Sequence, residues 1–257
     1  MALNISALNS GSNGNCYYVG NEQEAVLIDV GISCTAVEKR LAALGLSVKT
    51  VKAIFVSHEH TDHTKGVSTL ANKYSLPVYI TGETARLGPR LISHLTKTFA
   101  AHQPTHIGGL AVTAFSKCHD ATDPHSFIIS GDGITVGVFT DHGKVCDDTI
   151  HYFKKCHAAF LESNYDDAML ENGPYADTLK NRISGGQGHL SNVQALELFR
   201  VHQPEFMTHL VLSHLSSRNN CPKLASELFF PHAGNTEVLL ASRAAPTPLL
   251  TLSSALI

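Results

Sequence analysis

A dense group of potential metal ligands follows a short apolar segment in the first quarter of the chain. Residues 53–57 are apolar enough to form a buried strand, and three histidines and two carboxylates lie within the next six residues. Imidazole nitrogens bind zinc, manganese and iron, and carboxylates add harder oxygen ligands. The spacing therefore predicts a metal site instead of an ordinary polar loop. The five side chains are those of His58, Glu59, His60, Asp62 and His63.

The elements that must position this cluster alternate along the chain between strand-like and helix-like segments, which is typical of an α/β protein. Strands are predicted at residues 3–8, 16–20, 25–30, 53–57, 77–80, 110–115, 126–130, 134–140, 158–161, 206–212 and 237–240. Helices are predicted at residues 33–44, 64–74, 147–155, 166–171, 176–183, 192–202 and 222–230. No Pro- or Gly-rich linker divides the chain. We therefore expect a single domain over residues 1–257, with a loosely ordered tail over residues 241–257.

The composition is that of a globular chain without a charge suited to nucleic acid. Of its 257 residues, 43% are hydrophobic and 16% are charged, and the formal net charge is -3. A chain of this length and composition can bury a substantial core, so disorder is not expected. It has no basic excess that would bind nucleic acid by charge alone, so metal ions would have to supply much of the local positive charge.

Export and membrane signals are not recognisable in the sequence. The first 14 residues have no basic segment followed by a long apolar run, and no stretch approaches the roughly 18 apolar residues of a membrane span. The six cysteines show no CxxC spacing and are expected to be reduced thiols. These features predict a cytoplasmic protein that does not bind a membrane.

The spacing His58-x-His60-x-Asp62-His63 resembles the second motif of the metallo-β-lactamase superfamily. In that superfamily an aspartate after an earlier strand supports the histidine loop without binding metal, and Asp29 matches it. The resemblance covers roughly residues 1–240. It implies an αβ/βα four-layer sandwich, in which two mixed β-sheets are packed together and flanked by helices.

The later motifs of the superfamily are present in the required order. The lone histidine of the third motif matches His119, in preference to His125, and the bridging aspartate of the fourth motif matches Asp141. The histidine of the fifth motif matches His214. No cysteine occupies the fourth motif, which argues against β-lactam hydrolysis. The resemblance implies one metal held by His58, His60 and His119, and a second held by Asp62, His63 and His214, with Asp141 between them.

Two further stretches are similar to motifs of nucleic-acid-cutting members such as tRNase Z. Glu162 ends a predicted strand, and His189 lies just before a predicted helix. In those members a Glu–His pair serves in acid catalysis, because a histidine oriented by a carboxylate can protonate a leaving alkoxide. The alternative is a helix N-terminus with an incidental histidine. The role of His142, beside Asp141, stays open between support of a ligand, substrate contact and a plain loop position.

Residues 10–16 and 212–220, with the segments around His119 and Glu162, resemble a narrower group of small bacterial members, the YycJ/WalJ-type exonucleases. Backbone N–H groups of the Gly-rich loop can bind a phosphate, or the loop can be a simple turn. Arg218 can clamp a phosphate or only solvate its loop. The candidate substrate-binding residues are Ser12, Asn13, Asn15 and Arg218.

These patterns predict a dinuclear metal-dependent phosphodiester hydrolase, a nuclease that by resemblance is a 5′-to-3′ exonuclease on DNA. The expected catalytic residues are Asp62, which orients the nucleophile, and His189, oriented by Glu162. The cofactors are two divalent ions of zinc, manganese or iron, and no obligate protein partner is indicated. The alternative is a thioester or lactone hydrolase of the same fold acting on a small metabolite.

Overall fold

The computed structural model describes residues 2–253, which form two β-sheets with helices on their outer faces. The first sheet contains β1 (Ala2–Asn9), β2 (Cys16–Gly20), β3 (Ala25–Ile28), β4 (Val51–Phe55), β5 (Val78–Tyr79), β6 (Thr96–Lys97) and β14 (Leu250–Ser253). The second contains β7 (Pro104–Ile107), β8 (Leu110–Ser116), β9 (His125–Gly131), β10 (Ile134–Phe139), β11 (Ala158–Glu162), β12 (His209–Ser213) and β13 (Glu237–Leu240). The α-helices are α1 (Cys34–Ala43), α2 (Thr61–Thr64), α3 (Val67–Tyr74), α4 (Gly82–Leu87), α5 (Asp147–Phe153), α6 (Asp167–Asn172), α7 (Asp177–Ser184), α8 (Asn192–His202) and α9 (Pro222–Phe229).

Both sheets are mixed in the same way. The first has the order β14-β1-β2-β3-β4-β5-β6, and the second has the order β13-β12-β11-β10-β9-β8-β7. Strands pair antiparallel from β14 to β3 and parallel from β3 to β6. In the second sheet they pair antiparallel from β7 to β10 and parallel from β10 to β13.

Three layers of apolar side chains hold the sheets and helices together. The middle layer lies between the two sheets and includes Tyr17, Phe127 and Phe160, all fully buried. One outer layer packs the first sheet against α1 and α3, and the other packs the second sheet against α5, α8 and α9. Apolar surface is thus buried on both faces of each sheet, as parallel strands require. The predicted αβ/βα sandwich is confirmed.

The polar candidate residues follow strands that end at one edge of this sandwich. β4 is followed by His58, β10 by Asp141, and β12 by His214. Asp29, Asp141 and His214 have φ angles of 59°, 57° and 56°, the left-handed region that non-glycine residues rarely adopt. The same backbone conformation therefore turns three polar side chains out of their strands, two in the second sheet and one in the first.

The loop that carries the histidine cluster packs tightly against the turn after β3. The N–H of Val30 donates to the His63 carbonyl at 2.9 Å, and the N–H of Asn15 donates to the Asp62 carbonyl at 2.7 Å. A side chain at Gly31 would approach the Asp62 carbonyl oxygen to 1.6 Å, so only glycine fits this position. The backbone contacts thus hold the cluster in place independently of any ligand.

The main differences from the predicted elements lie in the first half and at the C-terminal end. The helix predicted over residues 64–74 begins later, as α3 at Val67, and the short α2 ends at Thr64. Between them, Gly66 passes so close to the Ile32 carbonyl that a Cβ atom would not fit. The short elements α4, β6 and β7 were not predicted, since runs of two to six residues give weak periodicity. The tail from residue 241 was expected to be loosely ordered, yet β14 pairs with β1 in it. Residues 254–257 lie outside the described residues.

Among the helices of residues 2–253, none combines the length and the apolar character needed to cross a membrane.

Candidate active site

Three histidines point ring nitrogens at one another beside the first sheet. His58 Nε2 lies 3.1 Å from His60 Nδ1, which lies 3.4 Å from His119 Nε2. The far nitrogens of two rings are engaged elsewhere: His58 Nδ1 with the Ser57 hydroxyl at 2.8 Å, and His119 Nδ1 with the Gly188 carbonyl at 3.0 Å. These contacts leave the facing nitrogens of His58 and His119 as unprotonated acceptors. Two facing lone pairs, with His60 Nδ1 beside them, are an arrangement that suits a cation.

Asp29 supports the histidine loop from inside the sandwich. Its carboxylate accepts from the Ser57 N–H at 2.8 Å, from the Ser57 hydroxyl at 2.7 Å and from His63 Nδ1 at 2.7 Å. Both Asp29 and His63 are fully buried. The contact directs His63 Nε2 away from the core, so Asp29 orients a candidate ligand without facing the candidate metal position itself.

A second group of potential ligands lies beside the histidine trio. Nε2 of His63 is 3.1 Å from Asp141 Oδ2 and 3.6 Å from Asp62 Oδ2. Nε2 of His214 is 3.8 Å from the same Asp62 oxygen, and Asp141 Oδ1 reaches within 3.9 Å of His119 Nε2. Asp141 therefore contacts members of both groups. Donor atoms within 4.8 Å of one another define the sets His58–His60–His119, Asp62–His63–His214, His58–His63–Asp141 and Asp141–Glu162–His189–His214.

Two buried atoms of this group have no hydrogen bond within residues 2–253. They are Asp141 Oδ2, whose contact with His63 is poorly directed, and His214 Nε2. A buried polar atom without a partner costs free energy, about 1–3 kcal/mol, unless a ligand or ion satisfies it. The residues present therefore fit divalent metal ions. His58, His60, Asp62, His63, His119, Asp141 and His214, which the sequence nominated as ligands, all lie within this one region.

The electrostatics of the cluster divide its histidines into two kinds. Burial and the nearby His63 hold the pKa of His58 well below its usual value, and burial lowers the pKa of His119 to about 4. Burial would also lower the pKa of His63, but Asp141, Asp29 and Asp62 raise it to about 10. The metal-free carboxylates thus attract positive charge onto His63. Metal binding would replace that proton.

Glu162 joins the cluster to a histidine at its open side. Its Oε1 lies 2.8 Å from His189 Nδ1 and 3.0 Å from His214 Nδ1. Its Oε2 accepts the backbone N–H groups of His142 and Leu190. Burial alone would raise the pKa of Glu162, but its hydrogen bonds and His189 lower it to about 2, so the carboxylate is ionised at neutral pH. The side chain of His189 is 23% exposed.

The backbone of the His189 segment is held by its own sequence. The N–H of His189 donates to the Ile183 carbonyl at 2.8 Å. Ser191 caps α8 by accepting from the Gln194 N–H, and the Gln194 side chain accepts from the Ser191 N–H in return. The helix N-terminus and the histidine were alternatives in the sequence. The structure contains both, since the cap holds the loop between α7 and α8 in which His189 lies.

The Gly-rich loop, residues 10–16, contacts the donor cluster through Asn15. Asn15 is fully buried, and its Nδ2 lies 3.3 Å from Asp62 Oδ2 and 3.0 Å from His63 Nε2. The N–H of Gly11 donates to Asn15 Oδ1, so this donor is unavailable to a phosphate. Ser12 and Asn13 are exposed at the tip of the loop. The geometry favours a turn that positions Asp62.

The remaining nominated residues lie around the rim or behind the site. Arg218 is exposed, with its guanidinium 6.0 Å from the Tyr175 ring centre. His125 Nδ1 faces the Asp123 carbonyl, and His125 belongs to none of the ligand sets. His142 is buried between Ser126 and Thr149, with its ring nitrogens 2.8 and 3.4 Å from their hydroxyl oxygens, and supports its turn.

Two supporting residues were missed by the sequence analysis. Ser57 links Asp29 to His58, and only its place beside the cluster hinted at this. Lys117 is buried and donates to the Thr140 carbonyl at 2.7 Å, next to Asp141. Burial lowers the pKa of Lys117, although four carboxylates oppose the shift. Nothing in the spacing of the sequence distinguishes this lysine from a solvated one.

Residues 10–145 match the family model described as the metallo-beta-lactamase superfamily. The chain belongs to this superfamily.

Within the superfamily the chain is similar to proteins named as exodeoxyribonucleases. It is 34% identical to exodeoxyribonuclease YycJ of Bacillus anthracis over 229 residues, which cover 88% of this chain and 87% of that protein. It is 30% identical to exodeoxyribonuclease WalJ of Streptococcus pneumoniae over 231 residues, 88% and 86% of the two chains. Among solved structures, the metallo-beta-lactamase fold protein YhfI from Bacillus subtilis superposes with a TM-score of 0.72 at 17% identity, covering 96% of this chain and 99% of that one. The resemblance to the YycJ/WalJ-type group is thus confirmed.

Proposed function

We propose that this chain is a dinuclear metal-dependent phosphodiesterase that cuts nucleic acid, acting on DNA as a 5′-to-3′ exonuclease. The observation that carries the proposal is the Glu162–His189 pair, whose 2.8 Å contact lies beside the donor cluster. Hydrolysis of a thioester needs no such pair, because a thiolate leaves without protonation. Release of an alkoxide from a phosphodiester needs an acid, because an alkoxide is a poor leaving group at neutral pH. The names of the two relatives support DNA as the substrate.

The residues that would hold the metals divide into two sets. His58, His60 and His119 form one set, Asp62, His63 and His214 form the other, and Asp141 contacts both. Two divalent ions bound there would lower the pKa of a water molecule and neutralise charge on the phosphoryl oxygens. Zinc, manganese and iron all suit this mixture of imidazole and carboxylate ligands.

The side chains themselves would supply orientation and a proton. Asp62 is held by the Asn15 amide at 3.3 Å and would orient the attacking water. His189 presents Nδ1 to Glu162, which leaves Nε2 for the leaving oxygen. Because Glu162 stays ionised, it stabilises the protonated imidazole until the proton is transferred.

The six cysteines are free thiols, which suits a reducing compartment, and we place the protein in the cytoplasm.

The decisive experiment is a metal-defined assay of the purified, chelator-treated chain. Single- and double-stranded DNA and RNA, each with a 5′-phosphate, are incubated with Zn²⁺, Mn²⁺ or Fe²⁺ and the products are sized. We expect mononucleotides from the 5′ end of DNA, and no product from the His60→Ala variant. The matched control is His151→Gln, an exposed histidine on α5. Cleavage by His60→Ala at the wild-type rate would refute the assignment.

A parallel assay tests the carbonyl alternative. Turnover of bis-p-nitrophenyl phosphate is compared with that of an acylglutathione under the same metal conditions. We expect phosphodiester turnover to exceed thioester turnover. The reverse order, with no cleavage of nucleic acid, would assign the chain to thioester or lactone hydrolysis.

A further inference from the structure

An arginine stands at the exposed side of the histidine trio, joined to it by one carboxylate. Asp120 follows His119 in the chain, and its Oδ1 lies 3.5 Å from His119 Nε2. The other oxygen, Oδ2, accepts from Arg182 Nε at 2.5 Å. A single carboxyl group therefore separates the Arg182 guanidinium from a nitrogen that faces the metal position.

The Asp120–Arg182 pair has a defined orientation. The N–H of Asp120 donates to the Gln187 carbonyl at 2.8 Å, which holds the carboxylate beside the loop that precedes His189. Only Nε of Arg182 is engaged by Asp120. Within residues 2–253, its two terminal nitrogens make no hydrogen bond, and the side chain is 61% exposed. Both terminal groups are free to face a ligand.

The segment around Arg182 also carries the candidate acid. Arg182 lies on α7, and the next residue, Ile183, accepts the N–H of His189 at 2.8 Å. No residue of α7 is buried, so this helix contributes little to the core. An ion pair this exposed adds little to stability. We therefore assign Arg182 a role in ligand binding and not in stabilising the fold.

We propose that Arg182 binds a non-bridging phosphate oxygen of the nucleic-acid strand next to the scissile phosphate, an inference that rests on the proposed nuclease function. A guanidinium offers paired N–H donors that match phosphate oxygens, and Asp120 orients it in advance. The net charge of the chain is -3, so the positive charge that attracts the strand is local to the site, and the Arg182 guanidinium would add to that of the metal ions. Asp120 acts as a positioning residue, and Arg182 contacts the substrate.

The test compares Arg182→Gln and Arg182→Lys with the wild type on single-stranded DNA and on bis-p-nitrophenyl phosphate. The small substrate has no neighbouring phosphate to bind. We expect Arg182→Gln to raise KM for DNA about tenfold or more, with Arg182→Lys intermediate, and to leave turnover of the small substrate within about twofold. The slope of log KM against log salt should fall by about 0.7, the value for one phosphate contact on a single strand. Arg200→Gln, an exposed arginine on α8, is the control and should behave as the wild type.

Binding without turnover separates this inference from the proposed function. Fluorescence anisotropy of a labelled, 5′-phosphorylated DNA strand is measured with the wild type and Arg182→Gln, each loaded with a divalent ion that does not support cleavage in the metal-defined assay. Weaker binding by Arg182→Gln supports the role of Arg182. If no metal ion supports cleavage, only the nuclease function is refuted, and the binding result still stands. Equal affinities, no binding by the wild type, or an equal loss of activity on both substrates would overturn the role of Arg182.

Discussion

His189 Nδ1 lies 2.8 Å from Glu162 Oε1, and the carboxylate is fully buried while the imidazole is partly exposed. The same oxygen is 3.0 Å from His214 Nδ1. Glu162 therefore orients a candidate metal ligand and a candidate proton donor at once. The two functions of the site share one buried charge.

Replacement of the candidate acid should affect DNA far more than an activated ester. We expect His189→Ala to lower kcat on DNA about 10²- to 10⁴-fold, because the leaving alkoxide needs a proton. Turnover of bis-p-nitrophenyl phosphate should change little, since p-nitrophenolate leaves without protonation. Steady-state kinetics on both substrates measure the ratio. An equal loss on the two would show that His189 positions other groups and donates no proton.

The sets His58–His60–His119 and Asp62–His63–His214 should each bind one metal ion. We expect two equivalents per wild-type chain, and one each for His119→Ala and His214→Ala, which remove one donor from different sets. Metal analysis after dialysis gives these ratios, and thermal unfolding gives the stabilisation. At a free metal concentration 100 times Kd, each site should add about 2.7 kcal/mol to the free energy of unfolding. One equivalent in the wild type would contradict a dinuclear site.

Asp29 should act on metal affinity through His63. In Asp29→Asn the amide nitrogen cannot accept from Ser57 or His63, so one of the three contacts at least is lost. We expect metal affinity to fall about 10- to 100-fold, with the far-UV circular dichroism unchanged. Competition with a chromogenic chelator measures the affinity. Wild-type affinity in this variant would show that the carboxylate is not needed to orient the histidine.

Glu38 gives a pH dependence of stability that is remote from the site. Hydrogen bonds from Lys73, Tyr74 and Cys34 lower its pKa to about 2, and they join α1 to α3. A lowered pKa stabilises the folded chain above the ordinary glutamate pKa of about 4.3, and the effect is lost as the pH falls towards 2. Glu38→Gln should therefore melt below the wild type at pH 6, and the gap should close near pH 2.

The melting temperatures of the metal-free proteins, measured across this pH range, provide the test. Glu227→Gln removes an exposed glutamate that lies 3.6 Å from Lys223 and serves as the control. It should show no comparable gap. A gap for Glu38→Gln that persists unchanged at pH 2 would contradict the role of the ionised carboxylate.

Several elements were predicted at both ends because turn residues or helix caps mark where they begin and end. Strands at residues 16–20 and 237–240 and the helix at residues 192–202 agree with β2, β13 and α8 at both ends. The layered sandwich was inferred from family motifs, since periodicity cannot say which strands pair. β14 was missed because it pairs with β1, almost the whole chain away, and residues 241–253 lack a local pattern.

The ligand residues of the candidate site could be predicted from their types and spacing. Contacts between residues that are far apart in the chain could not. The spacing of His58, His60 and His63 alone predicts a metal site. In the structure these histidines lie near His119 and His214. The contact between Asn15 and Asp62, by contrast, spans 47 positions and arises from backbone packing that no local pattern encodes. Arg182 and Asp120 meet across 62 positions for the same reason.

Asp29, Asp141 and His214 share a left-handed backbone conformation, so the positions of these side chains depend on the path of the backbone. A left-handed residue other than glycine costs about 1–2 kcal/mol, so each of these turns is a conformation that the isolated peptide would avoid. Copying the ligand side chains onto the strand ends of another scaffold would not reproduce the centre. A design that transfers this site to another protein must therefore reproduce the left-handed backbone conformation at the three strand ends as well as the side chains.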